Sequence, residues 1–288
     1  MDVQPVDSSI NDERTVVNDA TRFVGIDLAS TPARTGVVTL DWSGSRAHAS
    51  LVRDLRADDE GLTALVDATT VVGLDAPLGW PDDFVAALDA HHALRAWPSY
   101  DVREGEGERE RLRLRKTDLF VRDLDLGSTP LSVSSDLIGV VAMRAALLQS
   151  RWAKAWGQYE ARDGSGRLVE TYPAAALRAW KLLPRRGVRY KGGGGTEKGE
   201  QQRGARESIA AALEQRTSTW LVLEPSLRHE IVRSDHALDA LVCALVALAA
   251  TREATHVASR ELTAIAAREG WIHVPSTSLE DLGLRLAP

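Results

Sequence analysis

From residue 237 to residue 250 the chain runs for 14 positions with a single charged side chain, Asp239. Alanine, leucine, valine and one cysteine fill the rest, so a helix over residues 234–250 is apolar in nearly every direction and belongs in a protein interior. The run is well short of the ~20 residues that cross a bilayer. A buried ionised carboxylate is costly unless it is paired, hydrogen-bonded or bound to a metal. Asp239 therefore limits what can surround it more than any other residue does.

Two further acids sit in apolar elements. Asp27 interrupts the strand-like run FVGIDLA at residues 23–29, and Asp75 ends the run VVGLD at residues 71–75. Asp235 and His236 precede Asp239 by four and three residues, so all three side chains share one helix face. Ser234 is the expected N-cap, which gives Asp235 two readings, a first-turn acid favoured by the helix dipole or a metal ligand. Glu170 lies in a later strand, RLVETYP, and would reach the same place if that strand borders the one ending at Asp75. Oxygen donors of this kind suit Mg²⁺ or Mn²⁺, and acids from separate strands and a helix are what two-ion phosphoryl chemistry needs.

Around these acids the order is strand, strand, strand, helix, strand. TGVVTLDW and RAHASLVRD are joined through Ser43-Gly44-Ser45 as a hairpin, residues 58–67 carry Leu62, Leu65 and Val66 at helical spacing, and TTVVGLDAP returns as a strand. Residues 79–167 show helical segments and few strand signals, and are expected to form an insertion or cap. RLVETYP is the fifth strand, AAALRAWKLL and residues 197–216 are helical, and GWIHVP is a last short strand or extended segment. The tetraglycine at 192–195 marks a flexible loop.

The polar, acidic residues 1–21 are expected to be a disordered lead-in, and residues 276–288 a tail, leaving one domain over 22–275. With no signal-like apolar stretch, the expectation is a cytoplasmic protein without a membrane partner. The only cysteine, Cys243, excludes a disulfide framework and a cysteine-based zinc site. A net charge of −6 argues against a nucleic-acid partner only on average. Residues 176–206 carry nine basic side chains against two acids, a net +7 that leaves −13 elsewhere. Arg178, Arg185, Arg186, Arg189 and Lys191 in this patch, with Arg115 and Lys116, are the expected contacts to nucleic-acid phosphates, DNA or RNA.

The D-L-A of the first strand, G-L-D-A-P at 73–77, R-K-T-D at 115–118, E-T-Y-P-A-A at 170–175, S-D-H-A-L-D-A-L at 234–241 and G-W-I-H-V-P at 270–275 together resemble the domain of unknown function 429 family. Its members are predicted RNase H-like nucleases. The resemblance implies an α/β, RNase H-like fold with a five-stranded mixed sheet, ordered 3-2-1-4-5 and flanked by helices, with the mostly helical insertion between strands four and five. The last helix also resembles that of Holliday-junction resolvases, where an acid or histidine stands three residues before an aspartate followed by Ala-Leu. This implies Asp27, Asp75, His236 and Asp239 as catalytic ligands with Asp235 as a neighbour. The resolvases usually carry glutamate as the second acid, so Asp75 is a departure. Analogy with their symmetric substrates suggests a homodimer.

A metal-dependent phosphodiester hydrolase is thus the leading expectation. An actin-like ATP-dependent kinase or phosphatase would need a second copy of the core, and only one such strand-and-hairpin set is present. A non-catalytic nucleic-acid-binding protein is the third reading, against which stands the retention of all three acids.

Overall fold

The computed structural model describes residues 22–52, 54–98, 107–127 and 129–284. The lead-in over 1–21 and the last four residues lie outside this set. Strands β1 (Arg22–Asp27), β2 (Gly36–Ser43) and β3 (Arg46–Leu51) pair antiparallel in order of sequence. Helix α1 (Asp59–Ala64) is capped by the Asp58 carboxylate, which accepts the Gly61 amide at 2.9 Å. It leads into β4 (Val71–Asp75), parallel to β1. The next segment holds α2 (Asp82–His92), α3 (Gly107–Arg113), α4 (Lys116–Asp123) and α5 (Gly139–Trp156). Strand β5 (Leu168–Thr171) then adds parallel to β4 and is followed by α6 (Pro173–Ala179).

The chain continues through α7 (Glu197–Thr217), β6 (Leu221–Leu223), α8 (Pro225–Arg233) and α9 (Asp235–Thr251). It ends with α10 (Thr263–Glu269), β7 (Ile272–His273) and α11 (Leu279–Leu284). The result is an α/β fold whose mixed, seven-stranded sheet has the order β6-β3-β2-β1-β4-β5-β7. The expected order 3-2-1-4-5 is its inner part. The expectation of five strands is corrected by one short strand at each edge, and three-residue β6 is too brief to show periodicity.

Strand alternation divides the core. Val24, Ile26, Val72, Leu74 and Leu168 face a layer that contains Leu148 and Trp152 of α5 and Leu62 of α1. Helix α5, within the expected insertion, thus supplies helical cover for one sheet face. Phe23, Val38, Leu40, Val71 and Val169 face the opposite layer, where α9 lies. The expected tail is also packed, since Leu279 and Leu282 are buried and the Leu279 carbonyl accepts the Trp220 indole N–H at 3.2 Å. Among the described residues no helix is long and apolar enough to cross a membrane.

Helix α9 touches the sheet through its backbone. Gly25 and Gly73 are register partners on neighbouring strands. A Cβ added to Gly25 would fall on the Ala240 carbonyl oxygen, and one added to Gly73 on that of Cys243. The Gly73→Ala substitution is expected to force the helix off the sheet and destabilise the protein by about 1–3 kcal/mol, the usual range for overpacking. Gly204, mid-helix on the exposed side of α7, has open space at its Cβ, so Gly204→Ala is expected to stabilise by about 0.5–1 kcal/mol. Opposite shifts of the urea midpoint at constant slope would verify both.

Candidate metal centre

Asp27 and Asp75 end adjacent parallel strands and are paired in register, so they project side by side on the face that α9 covers. Asp239 stands in the first turns of α9, one residue before the contact at Ala240. The helix backbone approaches so closely that a side chain as short as aspartate bridges the gap. One carboxylate oxygen from each of Asp27, Asp75 and Asp239 lies within 4.8 Å of the others.

Burial pushes the Asp75 carboxyl well above its ordinary range, and the neighbouring Asp27 and Asp239 add to the rise against the pull of Lys191. Asp239 is pushed up to about 6, first by burial and then by Asp27, again opposed by Lys191. Three groups stand against these acids. The Lys191 ammonium lies 2.7 Å from Asp239 Oδ2 and 3.9 Å from Asp75 Oδ2. Burial works against that ammonium, but Asp239, Tyr190, Asp75 and Asp27 together outweigh it and push its pKa well above the ordinary range. Tyr190 donates its hydroxyl to Asp239 Oδ1 at 2.8 Å. His236 Nδ1 is 2.6 Å from Asp27 Oδ2, and this hydrogen bond raises the imidazole pKa.

The donor set fits a hard divalent cation, which takes oxygen ligands and whose charge would offset the crowding of the carboxylates. A lysine nitrogen already resting among them marks the place where positive charge is stabilised. Residues 190–192 are held from behind by Arg206, fully buried, which donates to the carbonyls of Tyr190, Gly192, Val232 and Arg233.

Several expected assignments change. Glu170 does not join the three acids. It is in register with Leu74, whose side chain faces the α5 layer, and so it points away from Asp27 and Asp75. Both of its oxygens are taken by Arg115, at 2.8 and 2.7 Å. Arg115 is correspondingly no phosphate ligand on an open surface, being 2% exposed and also paired with Asp118 at 2.8 Å. The Lys116 amide is bound to the Glu269 carboxylate at 2.8 Å, and the Thr117 hydroxyl accepts the Ile272 amide at 2.7 Å. Three motifs of the family resemblance, R-K-T-D, E-T-Y-P and G-W-I-H, therefore meet in one buried polar network.

Asp235 accepts the Gly192 amide at 2.8 Å, so it anchors the glycine segment instead of facing the acids, while Ser234 caps α9 as expected. Among the basic residues, half-buried Arg178 donates to the Ala174 carbonyl and Arg185 forms a 3.5 Å surface pair with Asp125. Arg186 and Arg189 are exposed. Little in the sequence marks Tyr190, and Lys191 stands in it as one member of a charge patch. Their signal was an isolated aromatic-lysine pair immediately before four glycines.

The family model described as "Protein of unknown function (DUF429)" matches residues 25–262. Neither the curated proteins nor the solved structures contain a match.

Two substitutions separate the cluster from the network. Lys191→Met leaves the acids without their internal cation, and is expected to lower the melting temperature in EDTA while enlarging the rise produced by Mn²⁺. Thermal scans of variant and parent with and without metal would show it. Arg115→Met strands two buried carboxylates and is expected to cost about 3–5 kcal/mol, a loss that Mn²⁺ does not recover. Urea denaturation in the presence and absence of the ion measures this.

Proposed function

We propose that this chain, which belongs to the DUF429 family, is a divalent-metal-dependent hydrolase of phosphodiester bonds in nucleic acid, built on an RNase H-like core. The observation that carries the reading is the convergence of buried Asp27 and Asp239 with half-buried Asp75, within 4.8 Å of one another. The inner strand order 3-2-1-4-5, with the acids on its two central strands and on the helix laid across them, supports the RNase H-like assignment. The fold alone would support other activities, so the reading rests on the site.

Asp27, Asp75 and Asp239 would hold Mg²⁺ or Mn²⁺. When bound, such ions polarise a phosphoryl oxygen and lower the pKa of water, which supplies a nucleophile near neutral pH. His236 fixes the Asp27 carboxylate through Nδ1 and leaves Nε2 as the ring atom able to accept a proton from water. With a divalent cation held by the acids, the Lys191 ammonium, which rests on Asp239 and lines the cleft, would be free to meet a phosphate. Arg186 and Arg189 are exposed in the same basic segment and offer sequence-independent attraction for a polyanion. A single described core of this kind gives no support to the kinase reading.

The test is incubation of the purified protein with single-stranded, duplex and branched DNA and RNA in Mn²⁺ or Mg²⁺, beside an Asp27→Asn variant. Cleavage is expected in metal, none in EDTA, and a fall of about 10²-fold or more in the variant, the scale of losing one group that stabilises transition-state charge. Activity that survives the substitution would remove the site from the mechanism.

A further inference from the structure

The cleft over the acids has a second chemistry. Its volume is about 370 Å³, and Asp27, Asp75 and Lys191 occupy one side. The remainder is lined largely by Leu28, Pro77, Pro130, Leu131, Ile138 and Val141. A groove that only held the backbone of a nucleic acid would be polar and basic throughout. This one places an apolar slot directly against the carboxylates, and Leu131, at its edge, is 56% exposed. An exposed leucine flanked by prolines and branched side chains is a surface that a ligand covers.

Tyr172 lines the slot as well, while three other polar side chains that reach it are committed elsewhere. Arg115 and Glu170 satisfy each other, and the Thr171 hydroxyl donates to the Cys243 sulfur at 3.0 Å. The slot thus offers mainly apolar and aromatic contact, with few side chains placed to read a hydrogen-bonding edge. Its size is at the small-ligand end of the ~300–1,000 Å³ range typical of pockets, enough for one planar ring system and too little for a stacked pair of strands.

Resting on the phosphodiesterase reading above, we infer that the slot is a nucleobase subsite. The base adjoining the cleaved phosphate leaves its stack and lies against Leu131 and the prolines, while its phosphate faces the acids and Lys191. Two consequences follow from the chemistry of the walls. Single-stranded or locally unpaired nucleic acid is the substrate, because a base in a duplex must first be unstacked at a cost of a few kcal/mol. The position is also read without regard to base identity, since every base presents a similar face.

Abasic scanning tests this with the full chain in Mn²⁺. A single-stranded oligonucleotide is prepared with one abasic residue moved stepwise past a fixed cut site, beside the same sequence as a duplex. At one register kcat/KM is expected to fall about 5- to 150-fold, the equivalent of the 1–3 kcal/mol that one stacked base contributes. The surface variant Leu131→Ala is expected to raise KM on the intact strand and to have little further effect on the strand abasic at that register. The duplex is expected to be cut more slowly than the single strand. Equal rates at every abasic position, a duplex cut as fast as the single strand, or Leu131→Ala acting equally on intact and abasic strands would overturn the subsite while leaving the hydrolase intact. Absence of any Mn²⁺-dependent cleavage, or cleavage that survives Asp27→Asn, would bring down the hydrolase reading and the subsite with it.

Discussion

Helix α9 rests on the sheet by its main chain, and the geometry of the acids depends on that contact. Gly25 and Gly73 face each other on β1 and β4, and the carbonyls of Ala240 and Cys243 sit where their side chains would be. Gly36, opposite Asp27 on β2, meets the His236 carbonyl in the same manner. Two residues beyond Gly25 and Gly73, on the same sheet face, come Asp27 and Asp75. One residue before Ala240 comes Asp239. With ordinary side chains between helix and sheet, the three carboxylates would stand too far apart to share a cation. The use of aspartate at all three positions follows from the same closeness, since a longer acid would have to fold back on itself. Asp75 therefore needs no glutamate-like reach.

That closeness has an electrostatic consequence. Crowded, buried carboxylates resist ionisation together, which is why Asp75 and Asp239 hold their protons more tightly than free carboxyls do. The protein meets this with one ammonium, one phenol and one imidazole, all at hydrogen-bonding distance from an acid. The compensation is partial, since both carboxyls keep a raised pKa. Lys191 stands out because its stem reaches solvent, with 49% of the side chain exposed, while its charged end sits at Asp239. Such a side chain can leave without dismantling the core, which a buried arginine could not.

Much of this was legible in the chain itself. Asp239 announced its burial by standing alone in an apolar helix, and Asp27 and Asp75 by ending apolar strands. The hairpin, the α9 cap at Ser234 and the inner strand order were accessible from periodicity, turn residues and the family resemblance. What escaped notice depends on parity and on distance along the chain. Glu170 looked like a ligand because β5 borders β4, yet a strand turns alternate residues to opposite faces, and its register with Leu74 sends it away. Thr171, one residue later, is the side chain that faces α9, through Cys243. Nothing local to Arg115 reveals that its partner lies 55 residues away. Charge counting treated the basic segment as uniform, whereas Arg206, Arg178, Lys191 and Arg189 have four different environments.

The sorting of these charges also accounts for the shape of the cleft. Arg115, Asp118 and Glu170 form a closed ion cluster that ties α4 to β5 and, through the Leu78 amide and the Glu269 carbonyl, to the segments after β4 and at the end of α10. A buried cluster of this kind adds little net stability over well-packed apolar side chains. It does, however, fix the relative positions of four segments that share no strand pairing with one another except at β5. Arg115 and Glu170 of this cluster line the cleft. The acids are held by contacts between glycines and a helix backbone, and this part of the lining by a satisfied ionic knot. The apolar slot between them thus has rigid sides, and its one exposed leucine belongs to the loop that precedes α5 rather than to either support.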